Sequence, residues 1–253
     1  MVQVIQRAWA ILEFLSTCGP DGRPLAEIAE HVQLNKATCS HIVKTLVELN
    51  AAEQVAPRKG YRLGPAVYTL ARGQGGFSGQ LIQASEWVIE RLAAEIRETV
   101  MVAVLRNDRR FTLCQVDGTQ EIQIRHDPSV ATNIYELATG RLLLAYAGAA
   151  CMERVVALQG YPGRRWNGIE NLDQLHDALS AIREAGREIM VTPGHVVGLA
   201  YPIRRGEGVV AALGVYLPEF RFHGEHREAI LRGMERAAAV ISSQLGGEES
   251  QGA

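Results

Sequence analysis

Residues 25–49, LAEIAEHVQLNKATCSHIVKTLVEL, constrain this chain more than any other stretch. Apolar positions recur at helical spacing twice, first at Leu25, Ile28, Ala29 and Val32, then at Cys39, Ile42, Val43, Leu46 and Leu49. Between the two sets lies V-Q-L-N, in which Asn35 is a suitable N-cap for the second helix. The pattern predicts two short helices joined by a tight turn. With Cys39, Val43 and Leu46 facing inward, Lys36, Thr38, Ser40, His41 and Lys44 face outward near the start of the second helix. A helix that enters a DNA major groove needs such groups: hydrogen-bonding side chains for base edges and cations for phosphate. A plain helical hairpin with a solvated face has the same spacing, so this stretch alone leaves both readings open.

The flanking segments narrow the choice. Residues 3–17 carry an apolar stripe at Val4, Ala8, Ile11, Leu12 and Leu15, and the cluster Cys18-Gly19-Pro20-Asp21-Gly22 ends it. Asn50 stands where a helix end favours a left-handed residue. Residues 52–56 and 60–63 then predict a two-stranded hairpin whose tip, Pro57-Arg58-Lys59-Gly60, is basic. A helix pair followed at once by such a hairpin is a winged helix, with Arg58 and Lys59 able to reach phosphate or the minor groove. Charge agrees in sign. The whole chain carries −2, but residues 1–75 hold eight Lys/Arg against six Asp/Glu, leaving 18 against 22 in the remainder.

Beyond residue 75 the reading is of a second domain. Residues 65–80 form a Gly-rich connection with a helical start, and a helix over about 81–99 follows, lined by Ile82, Trp87, Ile89, Leu92, Ala93 and Ile96. The apolar period then changes to two. Strands are predicted at 100–105, 111–116, 121–125, 188–191, 196–203 and 209–217. Helices are predicted at 138–147, 150–158, 171–185 and about 223–245, with a loop at 160–168. The result is an α+β domain with a mostly antiparallel sheet.

Several classes are disfavoured. No apolar run reaches the ~18 residues of a membrane span. Arg7 and Glu13 interrupt the apolar opening, which reads as an amphipathic helix rather than a signal peptide. Cys18, Cys39, Cys114 and Cys151 are scattered, which indicates neither a zinc module nor a disulfide framework and fits a reducing cytoplasm. Gly73–Gly76 lacks the context of a phosphate loop, and no G-x-S-x-G nucleophile motif is present. His223 and His226 lack a clear third metal ligand. No cofactor is indicated.

Three motifs in the first 75 residues carry a resemblance. VQVIQRAWAILEFL resembles the V-x-x-x-x-R-A-x-x-I-L-x-x-L start of the IclR family of bacterial transcriptional regulators. PLAEIAEHVQLNKAT resembles that family's P-L-x-x-[IL]-A-x-x-x-x-L-x-K-[SA]-T, and GYRLGP its wing-closing Y-R-L-G. His41 stands where the family usually has Arg, and Asn50 where it often has Gly. The second half is similar to the family's effector-binding domain in YELATGRLLLAYA, in IREAGREIMV with GLAYPI, and in AALGVYLPEFRF. The resemblance implies a winged helix-turn-helix domain (1–75), a linker at about 65–80, and a GAF-like effector-binding and oligomerisation domain (81–247).

It also implies a small-molecule cup on the sheet, with the family's pocket positions falling on Ala138, Thr139, Gly198, Gly214 and Tyr216. Gly198 stands where members that bind very small oxo-acids have Cys, and Gly214 and Tyr216 where they have Ser. The segment before Gly198 is about two residues short. These departures imply a different, larger or aromatic ligand that Tyr216 could stack on or hydrogen-bond. Tyr135, His195 and Arg125 are further candidates, Arg125 as a carboxylate partner. Some members hold a metal in the cup, which keeps Cys114 and His195 in view.

The expected function is ligand-responsive regulation of transcription by a cytoplasmic homodimer or dimer of dimers (a homotetramer) that binds double-stranded operator DNA. Two other classes stay open: an enzyme recruited by its N-terminal module, disfavoured by the lack of an acid/base or nucleophile constellation, and an architectural DNA-binding protein with a ligand-free C-terminal domain.

Overall fold

The computed structural model describes residues 2–56, 59–71, 76–124 and 133–246. Backbone contacts divide the chain into two compact units at Gly75/Gly76. Arg58 and Arg125 lie outside the described residues.

In the first unit, α1 (Gln3–Ser16), α2 (Leu25–His31) and α3 (Lys36–Glu48) pack around Ile11, Leu15, Ile28, Ala29, Cys39, Ile42, Val43 and Leu46. The two ends of α3 form for the reasons the sequence gives. The Asn35 side chain accepts a hydrogen bond from the Thr38 amide at 2.8 Å. Asn50 adopts φ +56°, and the Ala51 amide returns to the Leu46 carbonyl at 2.8 Å, closing the helix with its last carbonyls satisfied. Gln33 takes the left-handed position in the turn between α2 and α3.

The wing is shorter than expected. Strands β1 (Ala52–Gln54) and β2 (Tyr61–Leu63) pair antiparallel, with Val55 and Ala56 outside the strand. An unanticipated backbone bridge ties the wing to the α1–α2 turn. Arg23 and Tyr61 exchange amide-to-carbonyl bonds of 2.8 and 2.7 Å. Glycine is required on both sides of that bridge: a Cβ on Gly60 would lie 2.6 Å from the Arg23 nitrogen, and one on Gly22 would lie 2.6 Å from the Tyr61 oxygen. Residues 65–80, read as a connection, contain helix α4 (Pro65–Ala71) and the first turn of α5 (Phe77–Ile96).

The second unit is a five-stranded antiparallel sheet in the order β4-β3-β7-β6-β5. Its strands are β3 (Thr99–Arg106), β4 (Arg109–Val116), β5 (Glu188–Val191), β6 (Val196–Arg205) and β7 (Gly208–Pro218). Alternation sends Val100, Val102, Leu199, Leu213 and Val215 to one face, where α5 and α9 (Gly224–Gly246) cover them. The other face receives α6 (Ala138–Ala145), with α7 (Ala149–Gln159) and α8 (Leu172–Ala185) in the same core. Asn171 caps α8 by accepting from the Gln174 amide at 3.0 Å. Residues 121–124 are not a strand: Ile122 is exposed, and its carbonyl accepts from Arg221. Among the described residues no strand pairs with the outer edge of β4.

One irregularity matters for the site. The β3–β4 register shifts between Val102 and Ala103, so Val102 faces Cys114 while Ala103 faces Thr112. The extra residue puts Leu113 and Cys114 both against the α5–α9 core. Arg110 and Thr112 face α6 because pairing from the tight turn sets them beside Leu105 and Ala103, and the extra residue brings Gln115 to the same face beside Met101.

Candidate functional site

The first candidate surface is the outer row of α3. Cys39, Ile42, Val43 and Leu46 are buried, and Lys36, Ser40, His41 and Lys44 are exposed, as helical periodicity requires. Thr38 is half-buried at the first turn. Lys59 is exposed on the wing. These side chains present hydroxyl, imidazole and ammonium groups to solvent over about two turns of helix. None of Lys36, Ser40, His41, Lys44 or Lys59 has a side-chain hydrogen bond or ion pair among the described residues.

The second surface lies on the α6 face of the sheet. Register places Thr99 beside Tyr216, Tyr216 beside Gly198, and Met101 beside Gly214. The first turn of α6, Ala138-Thr139-Gly140, rests over this floor. Gly140 is needed there because a Cβ would run into the Ile134 carbonyl of the preceding turn. The room released at Gly214 is not open: a Cβ there would stand 2.5 Å from Thr139 Cγ2 and 3.2 Å from Met101 Cγ. At Gly198 a Cβ would meet Ala138 Cβ at 3.3 Å and Met190 Cγ at 3.4 Å. At these two positions the absent side chains therefore leave no added room for a larger ligand. They let α6 approach the sheet closely.

Tyr216 is almost fully buried and hydrogen-bonded with the side chains of Thr99 and Gln115. Burial, with help from the Asp117 charge, raises its pKa, so the phenol stays neutral and able to donate.

Two expected members of the cup are placed elsewhere. Tyr135 is fully buried in the core behind α6, and its hydroxyl donates to the Gly160 carbonyl at 3.1 Å. Burial pushes its pKa up to about 12. His195 sits in the turn before β6 at φ +57°, on the exterior, with Nδ1 2.7 Å from Glu219. A short loop leaves it no reach back over the sheet. Cys114 faces the opposite side of the sheet from Tyr216, because of the register shift. Its thiol is pushed up to about 11, chiefly by burial. His226 lies 3.2 Å from Glu98, itself held by Arg221 through two bonds of 2.7 Å. Among the described residues no three His, Cys, Asp or Glu groups gather as a metal site would require.

Sequence reasoning missed Arg110. Its guanidinium lies on the cup side of β4, donating from Nε to Thr139 Oγ1 at 3.0 Å and from Nη1 to Thr112 Oγ1 at 2.8 Å. Nη2 contacts Met101 Sδ at 2.8 Å. All three acceptors are neutral. Burial pushes its pKa down to about 10, against a smaller opposing effect of Tyr216. As the second residue after a tight turn, it looks solvated in the sequence. Pairing with Leu105 turns it to the α6 face, and the close seat of α6 covers it.

A further cavity of about 500 Å³ lies at the hairpin end of the sheet, lined among others by Phe77, Arg106, Asp108, Tyr146, Cys151 and Arg205. Arg106 and Arg205 both approach the Phe77 ring, at 5.9 and 5.7 Å from its centroid. Arg154 holds Asp108 through bonds of 2.8 and 2.9 Å. No described helix is long and apolar enough to cross a membrane.

Comparison with known proteins gives this arrangement its context. Residues 4–56 match the IclR helix-turn-helix domain, and residues 78–243 match the bacterial transcriptional regulator IclR C-terminal domain. The chain is 30% identical over 237 residues to the HTH-type transcriptional regulator Rv1719 of Mycobacterium tuberculosis, covering 92% of this chain and 88% of that one. It is 31% identical over 152 residues to the HTH-type transcriptional regulator TtgV of Pseudomonas putida, a match spanning 57% of this chain and about half (54%) of that protein. Among solved structures, an IclR homolog from Microbacterium hydrocarbonoxydans complexed with 4-hydroxybenzoate superposes with a TM-score of 0.74 at 22% identity, covering 96% of this chain and 98% of that one. With both units matched in order and along nearly their whole length, the chain belongs to the IclR family of bacterial transcriptional regulators.

Proposed function

We propose that this protein is a ligand-responsive transcriptional regulator that reads operator DNA with α3 and the wing. Ser40 and His41 address base edges, Lys36, Lys44, Arg58 and Lys59 address phosphate, and Thr38 helps seat the start of the helix. The observation that carries this reading is the outer row of α3, where hydrogen-bonding and cationic side chains stand exposed with no partner among the described residues. The C-terminal unit binds a small organic acid or aromatic compound on the α6 face of the sheet, beside Thr139 and Tyr216, while Gly198 and Gly214 let Ala138 and Thr139 sit close to the strands. The solved relative bound to 4-hydroxybenzoate supports a ligand of that size. The protein acts as a dimer or dimer of dimers in the cytoplasm, without catalysis. The exposed Ile5 and Trp9 on α1 support self-association.

Binding to a random-sequence DNA library, followed by sequencing of the retained fraction, tests the reading. A (pseudo)palindromic site is expected. Lys44→Ala should weaken binding evenly across sequences and lower the slope of log affinity against log salt by about one. Retention without sequence preference, or a salt slope that Lys44→Ala leaves intact, would count against it.

A further inference from the structure

Arg110 differs from two other cations drawn into this unit, each of which has a carboxylate: Arg141 pairs with Glu188 at 3.0 Å, and Arg221 pairs with Glu98 at 2.7 Å. Arg110 has two threonine hydroxyls and a thioether. A guanidinium partly removed from water without a counter-charge is costly, and neutral acceptors offset only part of that cost. Such a group survives in a fold when something other than stability retains it.

The geometry shows what it is prepared for. Nε is committed to Thr139 and one edge of Nη1 to Thr112, so the plane of the guanidinium is fixed. A guanidinium carries five N–H donors, and three directional contacts leave others for a ligand. Tyr216, close enough to affect the charge on Arg110, adds a neutral phenol on the same face of the sheet. A planar donor fork beside a neutral hydroxyl matches a carboxylate better than an amide or alcohol, because only an anion gains from the uncompensated charge.

We propose that Arg110 is the specificity residue of the C-terminal site and that it selects ligands bearing a single carboxylate, which completes the missing ion pair. This rests on the reading of the α6 face as the effector site, and it assigns that site a charge class. Tyr216 takes the second hydrogen bond and orients the acid. Because Arg110 also bonds to Thr139, an arriving carboxylate competes for the group that links β4 to the first turn of α6. The signal therefore begins at that turn, because a ligand shifts an equilibrium only through contacts it makes unequally in the two states.

Thermal unfolding of the full chain tests this with benzoate and pyruvate against benzamide and pyruvamide, at equal ionic strength made up with sodium chloride. Both acids should raise the Tm of the unaltered protein and the amides should not. Arg110→Met, without ligand, should fold with a Tm equal to or above that of the parent, since an uncompensated charge is removed. Its affinity for the acids should fall by on the order of tenfold or more. Arg110→Lys, which keeps the charge and loses the fork, should recover part of it. As a second readout, the Arg110 Nε–H resonance, assigned by its loss in Arg110→Lys, should move with benzoate and stay still with benzamide.

Amides that stabilise as well as acids, or acids that stabilise Arg110→Met as well as the parent, overturn the charge assignment and leave the effector reading standing. A large fall in the Tm of unliganded Arg110→Met makes Arg110 a structural residue and also overturns it. Acids that bind through Arg110 yet leave DNA affinity unchanged uphold the assignment and overturn the regulator reading. No response to any of the four compounds overturns both.

Discussion

The two candidate surfaces of this protein are built in opposite ways. The outer row of α3 is local and exposed: one helix supplies Lys36, Ser40, His41 and Lys44, and solvent is their main partner. The α6 face of the sheet is non-local and buried. Arg110, Thr139, Gly198, Gly214 and Tyr216 come from three strands and a helix spread over more than 100 residues of sequence. The difference teaches where each surface stores its specificity. On α3, changing a side chain alters contacts with a partner and little else. On the sheet, each group is held by others, so one substitution alters both fold and ligand.

The largest expected effect lies where the buried surface is braced. Arg141 is buried, bonded to Glu188 and to the Tyr135 and Arg165 carbonyls, and sits 4.4 Å over the Trp166 ring. Arg141→Ala strands a buried carboxylate and should cost ~3–5 kcal/mol in urea unfolding of the C-terminal unit. A loss within a few tenths of a kcal/mol would mean this face is far less interlocked than its contacts imply. Gly214→Ala should cost ~1–3 kcal/mol by overpacking against Thr139 Cγ2. Combining it with Thr139→Ala should return most of that loss. If the double variant is no more stable than Gly214→Ala alone, close approach of α6 is not the reason for glycine.

Effects on the exposed surface should be smaller and of another kind. His41→Ala should relax preference at one operator position by ~1–3 kcal/mol, with thermal stability unchanged. A uniform loss at all positions would place His41 on phosphate. Asn35→Ala should cost ~1 kcal/mol of stability in the N-terminal unit by removing the bond to the Thr38 amide. No change in the N-terminal transition would show that tertiary packing alone fixes the start of α3.

The elements of the first unit were legible because each rests on a signal within a few residues: apolar spacing along α3, a capping Asn35, a left-handed Asn50. The sheet of the second unit was legible as strands, since alternation is also local. The segment at 121–124 shows the limit: alternation without a pairing partner gives no strand. The floor of the cup was legible only in part. Thr139 and Tyr216 stand together on the α6 face, while Tyr135 and His195 do not join them, because whether a polar residue meets a site depends on the path of the chain between.

By itself, then, the sequence determined the winged helix, the mostly antiparallel α+β second half and the exposed row of α3, because helix period, strand alternation and end-capping act over a few residues. Tertiary structure alone decided that the glycines of the sheet are filled by α6 rather than left open. It alone decided that α6 seats over Arg110 and that a shift of register between β3 and β4 turns Cys114 to the opposite face. Both depend on van der Waals fit and hydrogen bonding between segments far apart in sequence, and no local pattern encodes the charge environment such packing creates.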